Sequence, residues 1–265
     1  MEGIKRYRTI LLFLSTLLSL IFSACQTAPV TGRSQLILIP ESMEIEMGLT
    51  SYKETLKKAK LSEDRESVDR VRRVGERIAG VADRKDYKWE FNLIDDDKVV
   101  NAFALPGGKV AVYTGILKYT EGDAGLAAVM GHEVAHALVR HGGERISAGI
   151  LAQLGMIGLS TAIKNKDPVA IGAINQAYGI GVNVGVLLPF NRSQELEADR
   201  VGLVLMAKAG YDPNEAVGFW RRMMKGKDKA PPEFLSTHPA TGKRVKELEQ
   251  WLPEAMKYYK PSPPF

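Results

Sequence analysis

One cysteine, Cys25, is all the thiol this 265-residue chain possesses, so it can form no internal disulfide and no cysteine-built metal cage. Its stability must come from packing. An excess of one charge is missing as well. The 36 basic residues stand against 31 acidic ones, and runs such as Lys57-Lys58-Ala59-Lys60 are followed by Glu63-Asp64, the pattern of a solvated face; no nucleic-acid partner is implied. Between residues 146 and 190 no stretch of 18 residues is clear of polar side chains, which argues against a clean membrane-spanning helix there. Histidine is scarce, with only four residues. What is present, 45 % hydrophobic and 25 % charged residues, is the make-up of an ordinary globular protein with one good-sized core.

The first residues stand apart. Lys5, Arg6 and Arg8 precede an apolar stretch from Thr9 to Phe22 that ends in the small residues Ser23 and Ala24, the build of a secretory signal. Its apolar part is about 14 residues, short of the roughly 20 of a spanning helix, a retained transmembrane anchor being the competing reading. Losing Glu2 with the three basic residues lowers the formal charge of +5 by two. Cys25 follows Phe22-Ser23-Ala24, which resembles a bacterial lipobox, and this resemblance implies a lipidated cysteine and a membrane tether. Gln26 rather than Asp after the cysteine implies, by similarity to lipoproteins of two-membrane bacteria, the periplasmic face of the outer membrane. The expected organisation is a lipoprotein signal peptide over 1–24, a tether over 25–40, one catalytic domain over 41–258 and a Pro-rich tail over 259–265.

Within the domain, helical spacing of apolar residues predicts helices over 41–60 and from Ser62 to about Ala82, where Val68, Val71, Val74 and Ile78 share a face. The period then changes. Trp89, Phe91 and Leu93 alternate with polar neighbours, and Lys109 to Tyr113 repeats the alternation after the Pro106-Gly107-Gly108 turn, which predicts a small antiparallel sheet. From Gly122 the pattern is helical again. The Gly- and Ala-rich stretch from about Ile146 to Phe190, broken at Asp167-Pro168, reads as two buried helices in preference to a membrane hairpin. Helices follow over 213–225 and 242–258.

The chemistry sits in His132-Glu133-Val134-Ala135-His136, an HExxH sequence within a helical run from Asp123 to Val139 that suits a half-buried helix. With four histidines in 265 residues, its chance expectation is on the order of 0.003. Residues four apart lie one above the other on a helix face, so both imidazoles can hold one zinc ion. Glu133 points to the side, where it can take a proton from the attacking water instead of ligating. A catalytic zinc wants a third protein ligand. Residue 142, where a metzincin would carry its third histidine, is Gly142, and His141 reads as solvated or as a support behind the ligands. The acidic run Glu195-Leu196-Glu197-Ala198-Asp199, in a helix beginning near Asn191, offers Glu195 and Asp199 on one face. Glu195 is expected to ligate and Asp199 to accept the other ring N–H of a zinc histidine; Glu197 points away and is the weaker choice.

HEVAH at 132, ELEAD at 195, THPATGKR at 237 and NAFALPGG at 101 together resemble the HtpX-like and CAAX-prenyl-endopeptidase family of gluzincins, in particular its exported bacterial lipoprotein members, over roughly residues 40–255. The resemblance implies an α+β, mostly helical gluzincin domain with a small antiparallel sheet and an active-site HExxH helix. It implies one Zn²⁺ per chain held by His132, His136 and Glu195. It also implies that Asn101, Ala102, Phe103 and Ala104 form an edge strand that pairs with an extended substrate. His238, with Arg244 further on, is a candidate donor to the oxyanion of the tetrahedral intermediate, against the plainer reading of a His-Pro turn.

The expected function is endoproteolysis of unfolded or damaged cell-envelope proteins by a membrane-tethered zinc enzyme. One alternative is a chaperone or assembly factor for outer-membrane proteins, working with the envelope assembly machinery and keeping a latent or regulatory metal site. Another is self-inhibition, with His238 or the 146–190 region covering the metal.

Overall fold

A computed structural model of the chain describes residues 25–182, 188–225, 233–239 and 241–261. The proposed signal peptide, residues 1–24, lies outside them. The chain divides into two compact units.

The larger unit comprises residues 42–141 and 188–265. It starts with helix α1 (Glu41–Lys58), whose Tyr52 is buried and donates its hydroxyl to Val110 O at 3.0 Å. Helix α2 (Arg65–Val81) buries Val71, Val74, Gly75 and Ile78, the expected 3.6-residue stripe. Strands β3 (Glu90–Ile94), β4 (Ala102–Leu105) and β5 (Lys109–Tyr113) form a three-stranded sheet in the order β3-β5-β4. Here the expected antiparallel sheet needs correcting. β4 and β5 are antiparallel, joined by the Pro106-Gly107-Gly108 turn in which both glycines take positive φ, but β5 runs parallel to β3, with Phe91 opposite Val110 and Leu93 opposite Val112. Alternation locates a strand and assigns its faces without stating its direction. A seven-residue connection over 95–101 carries the chain past β5's place, and the hairpin then folds back into it.

A short helix α3 (Thr114–Thr120) leads to α4 (Asp123–Leu138), the HExxH helix. Expected to be half-buried, α4 is buried at every residue from Gly125 to Ala137, as befits a helix apolar nearly all round. Asp123 opens it with a negative charge at the positive end of the helix dipole and accepts Arg73 Nη2 at 2.8 Å. Helix α7 (Leu188–Lys208) packs against α4, and α8 (Asn214–Lys225), the short α9 (Glu233–Thr237) and α10 (Gly242–Ala255) complete the unit. The α4–α7 approach depends on small residues. A Cβ on Gly202 would lie 2.8 Å from His132 N, and one on Gly131 3.0 Å from Gly202 O.

The smaller unit covers residues up to 41 and 142–187. Cys25–Thr27 (β1) and Ser34–Leu36 (β2) pair as an antiparallel hairpin within the stretch read as a tether. The hairpin is fastened to helix α5 (His141–Ile163): Arg33 reaches both oxygens of buried Glu144 at 2.7 Å, and the Leu38 N–H donates to Ser147 Oγ at 2.8 Å. Helix α6 (Pro168–Val182) is capped by Asp167, which accepts from the N–H groups of Val169 and Ala170. Tyr178 of α6 donates to Ala152 O of α5, over Gly155, where a Cβ would strike its hydroxyl. These helices are not buried as expected. Ile150, Leu151, Leu154, Ile157 and Val169 are exposed, and α5 is long and apolar enough to cross a membrane by length and composition alone.

Candidate active site

Two turns of α4 and two of α7 face one another across the Gly131–Gly202 contact, which puts His132 and His136 opposite Glu195 and Asp199. His132 Nε2 and His136 Nε2 lie 3.2 Å apart. The Glu195 carboxylate bridges them, with Oε2 3.4 Å from His132 Nε2 and Oε1 3.3 Å from His136 Nε2. His238, just past α9, brings Nδ1 to 3.1 Å from His132 Nε2 and 2.9 Å from Glu195 Oε2. One ligand atom from each of these four residues falls within 4.8 Å of all the others. The oxyanion reading of His238 placed it across from the attacking water; the structure places its Nδ1 among the ligand atoms.

The far sides of the two rings decide what the near sides carry. His132 Nδ1 is 3.0 Å from Asp199 Oδ1, so its proton sits there and Nε2 faces the cluster with a lone pair or a second proton. His136 Nδ1 is 2.9 Å from His141 Nδ1, whose Nε2 is in turn 3.0 Å from Glu197 Oε2. Glu197 accepts from His141 Nε2–H, His141 Nδ1 then accepts from His136 Nδ1–H, and His136 Nε2 is left with its lone pair turned inward. Lone pairs of two imidazoles and a carboxylate therefore converge on one point, an arrangement that needs a cation. In the metal-free protein a proton plays that part. Burial disfavours a charged His132, but its hydrogen bonds to Asp199 and Glu195 outweigh burial and push its pKa up to about 9. Burial holds His136 well below its usual value, and Glu195 only partly opposes this. Two nitrogens and a carboxylate oxygen suit zinc.

Arg244 sets the charge balance. Burial would lower its pKa, but Asp199 raises it. Its guanidinium clasps Asp199 with two 2.6 Å hydrogen bonds, reaches Glu195 Oε2 at 3.2 Å and lies 3.7 Å over the Trp220 ring. Burial would raise both carboxyl pKa values, yet Arg244 and His132 hold Asp199 low, and the three histidines hold Glu195 well below the carboxylate range. Glu133 differs. Burial raises its pKa with His238 and His132 only partly opposing; its buried Oε1 has no hydrogen-bond partner among the described residues and lies 3.4 Å from His238 Nε2. A buried carboxylate with an unused oxygen beside a metal-binding cluster is placed to accept a proton.

The edge strand expected at Asn101–Ala104 is β4, on the outer side of the sheet beside α4. Asn101 O accepts from Tyr113 N–H, so the alternation turns the backbone groups of Ala102 and Ala104 away from β5. Ala102 N–H is held by the Asn101 side chain. Next to Glu195 and Arg244 a cleft of about 360 Å³ opens, also lined by Arg192, Leu196 and Pro239.

Residues 66–252 match the model of peptidase family M48. The chain belongs to that family. This M48 peptidase is 38 % identical over 239 residues to the mitochondrial metalloendopeptidase OMA1 of Schizosaccharomyces pombe, covering 88 % of this chain and 68 % of the relative. It is 31 % identical over 273 residues to OMA1 of Saccharomyces cerevisiae, covering 92 % and 76 %. To the beta-barrel assembly-enhancing protease of Escherichia coli it is 28 % identical over 231 residues, 84 % of this chain and 46 % of that one. It is accordingly a zinc metalloendopeptidase, with a cluster at His132, His136 and Glu195 compatible with a single ion.

Sequence alone leaves His141 either solvated or a support behind the ligands and Glu197 a weaker ligand choice, and does not pair the two. A helix continued straight past His136 would turn residue 141 away. Arg140 instead takes a left-handed conformation, φ 59°, held by hydrogen bonds to buried Glu44, and swings His141 back behind His136. A non-glycine residue at positive φ leaves no mark in the sequence.

Proposed function

We propose that this M48 peptidase is an endopeptidase of unfolded or damaged cell-envelope proteins, held at a membrane through lipidated Cys25, on the outer-membrane side of the periplasm. It would stand with the exported lipoprotein branch of the HtpX-like gluzincins. The observation that carries the catalytic part is the convergence of His132, His136 and Glu195 beside the buried Glu133 carboxylate, whose Oε1 accepts no hydrogen bond among the described residues. Bound there, zinc supplies a Lewis acid that activates water and polarises the scissile carbonyl.

The chain's own groups do the rest. Asp199, anchored by Arg244, fixes the His132 ring through Nδ1. Glu133, with its proton affinity raised by burial, takes the proton of the attacking water and passes it to the leaving amine. An extended peptide laid along β4 would meet the outward backbone of Ala104, an interaction that reads main chain more than side chains and suits unfolded substrates. The envelope assignment draws on exposed Cys25, on the exposed apolar residues of α5 in the same unit, and on a relative named for enhancing β-barrel assembly.

Casein or another denatured protein, incubated with the zinc-loaded full chain and with Glu133→Gln, tests the reading. Cleavage by the wild type alone is expected, and equal behaviour of the two refutes it. If promotion of outer-membrane protein assembly survives Glu133→Gln, the assembly-factor reading takes over.

The position of His238 Nδ1, 2.9 Å from Glu195, favours a second reading of the same enzyme, in which His238 fills the site's open position until a partner or substrate draws it out. His238→Ala then raises basal proteolysis; as an oxyanion donor, the same change lowers it.

A further inference from the structure

The two zinc histidines are supported unequally. His132 hands its Nδ1–H directly to Asp199, a carboxylate neutralised by Arg244. His136 Nδ1 meets no carboxylate directly among the described residues. Behind it stands a second imidazole, His141, fully buried, with Nδ1 2.9 Å from His136 Nδ1 and Nε2 3.0 Å from Glu197 Oε2, also buried. An ordinary core histidine would serve with any one partner. This one is aligned nitrogen to nitrogen between a metal ligand and a carboxylate, and the backbone is bent to keep it there: Arg140 sits in the left-handed region, a conformation unfavourable for a non-glycine residue, and buried Glu44 holds it.

We infer that His136, His141 and Glu197 form a relay through which Glu197 orients His136 and strengthens it as a zinc ligand, making His141 and Glu197 positioning residues for the active site. With His141 neutral and its Nε2–H taken by Glu197, its Nδ1 accepts from His136, which is locked in the tautomer that directs the Nε2 lone pair at the ion. The negative charge at the end of the chain polarises both rings towards the zinc, as a carboxylate directly behind a ligating histidine does. The relay also accounts for the different faces taken by two glutamates of α7, Glu195 and Glu197. Glu195 turns to the cluster and Glu197 to the far side of His141.

The inference rests on the zinc reading above, and the experiment separates the two. Zinc affinity of the full chain is measured by competition with a chromogenic chelator for wild type, Glu197→Gln, Glu197→Ala and His141→Leu, alongside the thermal midpoint of each metal-free protein. Loss of the relay is expected to weaken zinc binding about 10- to 100-fold in Glu197→Ala and His141→Leu, with Glu197→Gln, which keeps an acceptor oxygen, in between. A purely structural pair would lower the metal-free midpoint and leave zinc affinity within twofold of wild type, which overturns the relay while the metal site stands. A wild type that binds no zinc overturns both. Should His141→Leu and Glu197→Ala fail to fold, ¹⁵N-histidine NMR of the zinc-loaded wild type still decides: His141 must carry its proton on Nε2 and His136 on Nδ1, and the opposite tautomer of His141 overturns the relay.

Discussion

His132 is held between two carboxylates and beside a third histidine, so in the metal-free protein it keeps a proton to a pKa of about 9 against an ordinary 6.5. Zinc must displace that proton. Apparent zinc affinity should therefore rise about tenfold per pH unit from pH 7 towards 9 and flatten beyond, since one proton leaves per ion bound. The sign for stability is opposite in the absence of metal. A folded pKa raised above the unfolded value adds stability that is complete below pH 6.5 and disappears as pH climbs through about 9. Calorimetry with and without chelator across this window checks both, and a zinc affinity independent of pH would remove the proton from His132. At Glu133 the expected change is catalytic only. Glu133→Gln keeps the shape and zinc while kcat falls about 10²- to 10⁴-fold, the usual worth of a general base. HExxH, Glu195 and Asp199 were legible because each set repeats at helical spacing within one helix. The pairing of His141 with Glu197 was not, because it depends on one left-handed residue, Arg140, and on a partner 56 positions further along.

At the scale of elements, the site exists because α4 and α7 approach closely enough for side chains of four to six atoms to meet. A methyl group at position 202 would lie 2.8 Å from His132 N and 2.9 Å from Gly131 C, both backbone atoms of the helix that carries the ligands. Gly202→Ala removes a glycine from a helix interior, which by propensity alone stabilises, but the collision outweighs it. A net loss of about 1–3 kcal/mol and weaker zinc binding are expected, read from thermal melts and chelator competition. An unchanged midpoint would show the helices free to separate. β4 carries a second element-level prediction. Its outward Ala104 N–H is a donor that proline cannot supply, and an edge strand accepts proline where the N–H faces away from the ladder. Ala104→Pro should raise KM for unfolded substrates about tenfold, keep zinc affinity, and leave cleavage of very short peptides less affected. The long helices were readable from apolar spacing, and so were β3 and β5, whereas the short hairpin of β1 and β2 lies in a stretch read as a tether. The direction of β5 against β3 was not readable, since a period of two carries no arrow.

Over the whole molecule, the stretch from 146 to 190 shows what hydrophobicity withholds. It tells that a helix needs an apolar neighbour without telling whether that neighbour is protein or lipid. Gly155 and Tyr178 lock α5 to α6 along one side, and on the other side Leu154 stays 58 % and Ile157 56 % exposed. Leucine and isoleucine left in water in a row of this length mark a surface that meets something apolar. Cys25, exposed at the start of β1, belongs to the same unit, whose hairpin is bolted to α5 through Arg33 and Glu144. On the function proposed above, a diacyl chain at Cys25 and an apolar helix face would be two membrane signals in one body, and two together give lasting attachment where one is marginal. In vesicle flotation of the full chain made in a host that exports and lipidates lipoproteins, wild type should stay with lipid through a high-salt wash. Cys25→Ser should be partly released, and Cys25→Ser combined with Leu154→Asp and Ile157→Asp should remain wholly in solution while keeping its zinc. Complete release by Cys25→Ser alone would assign the apolar face to another partner, and retention of the triple variant would move the membrane contact elsewhere on the protein.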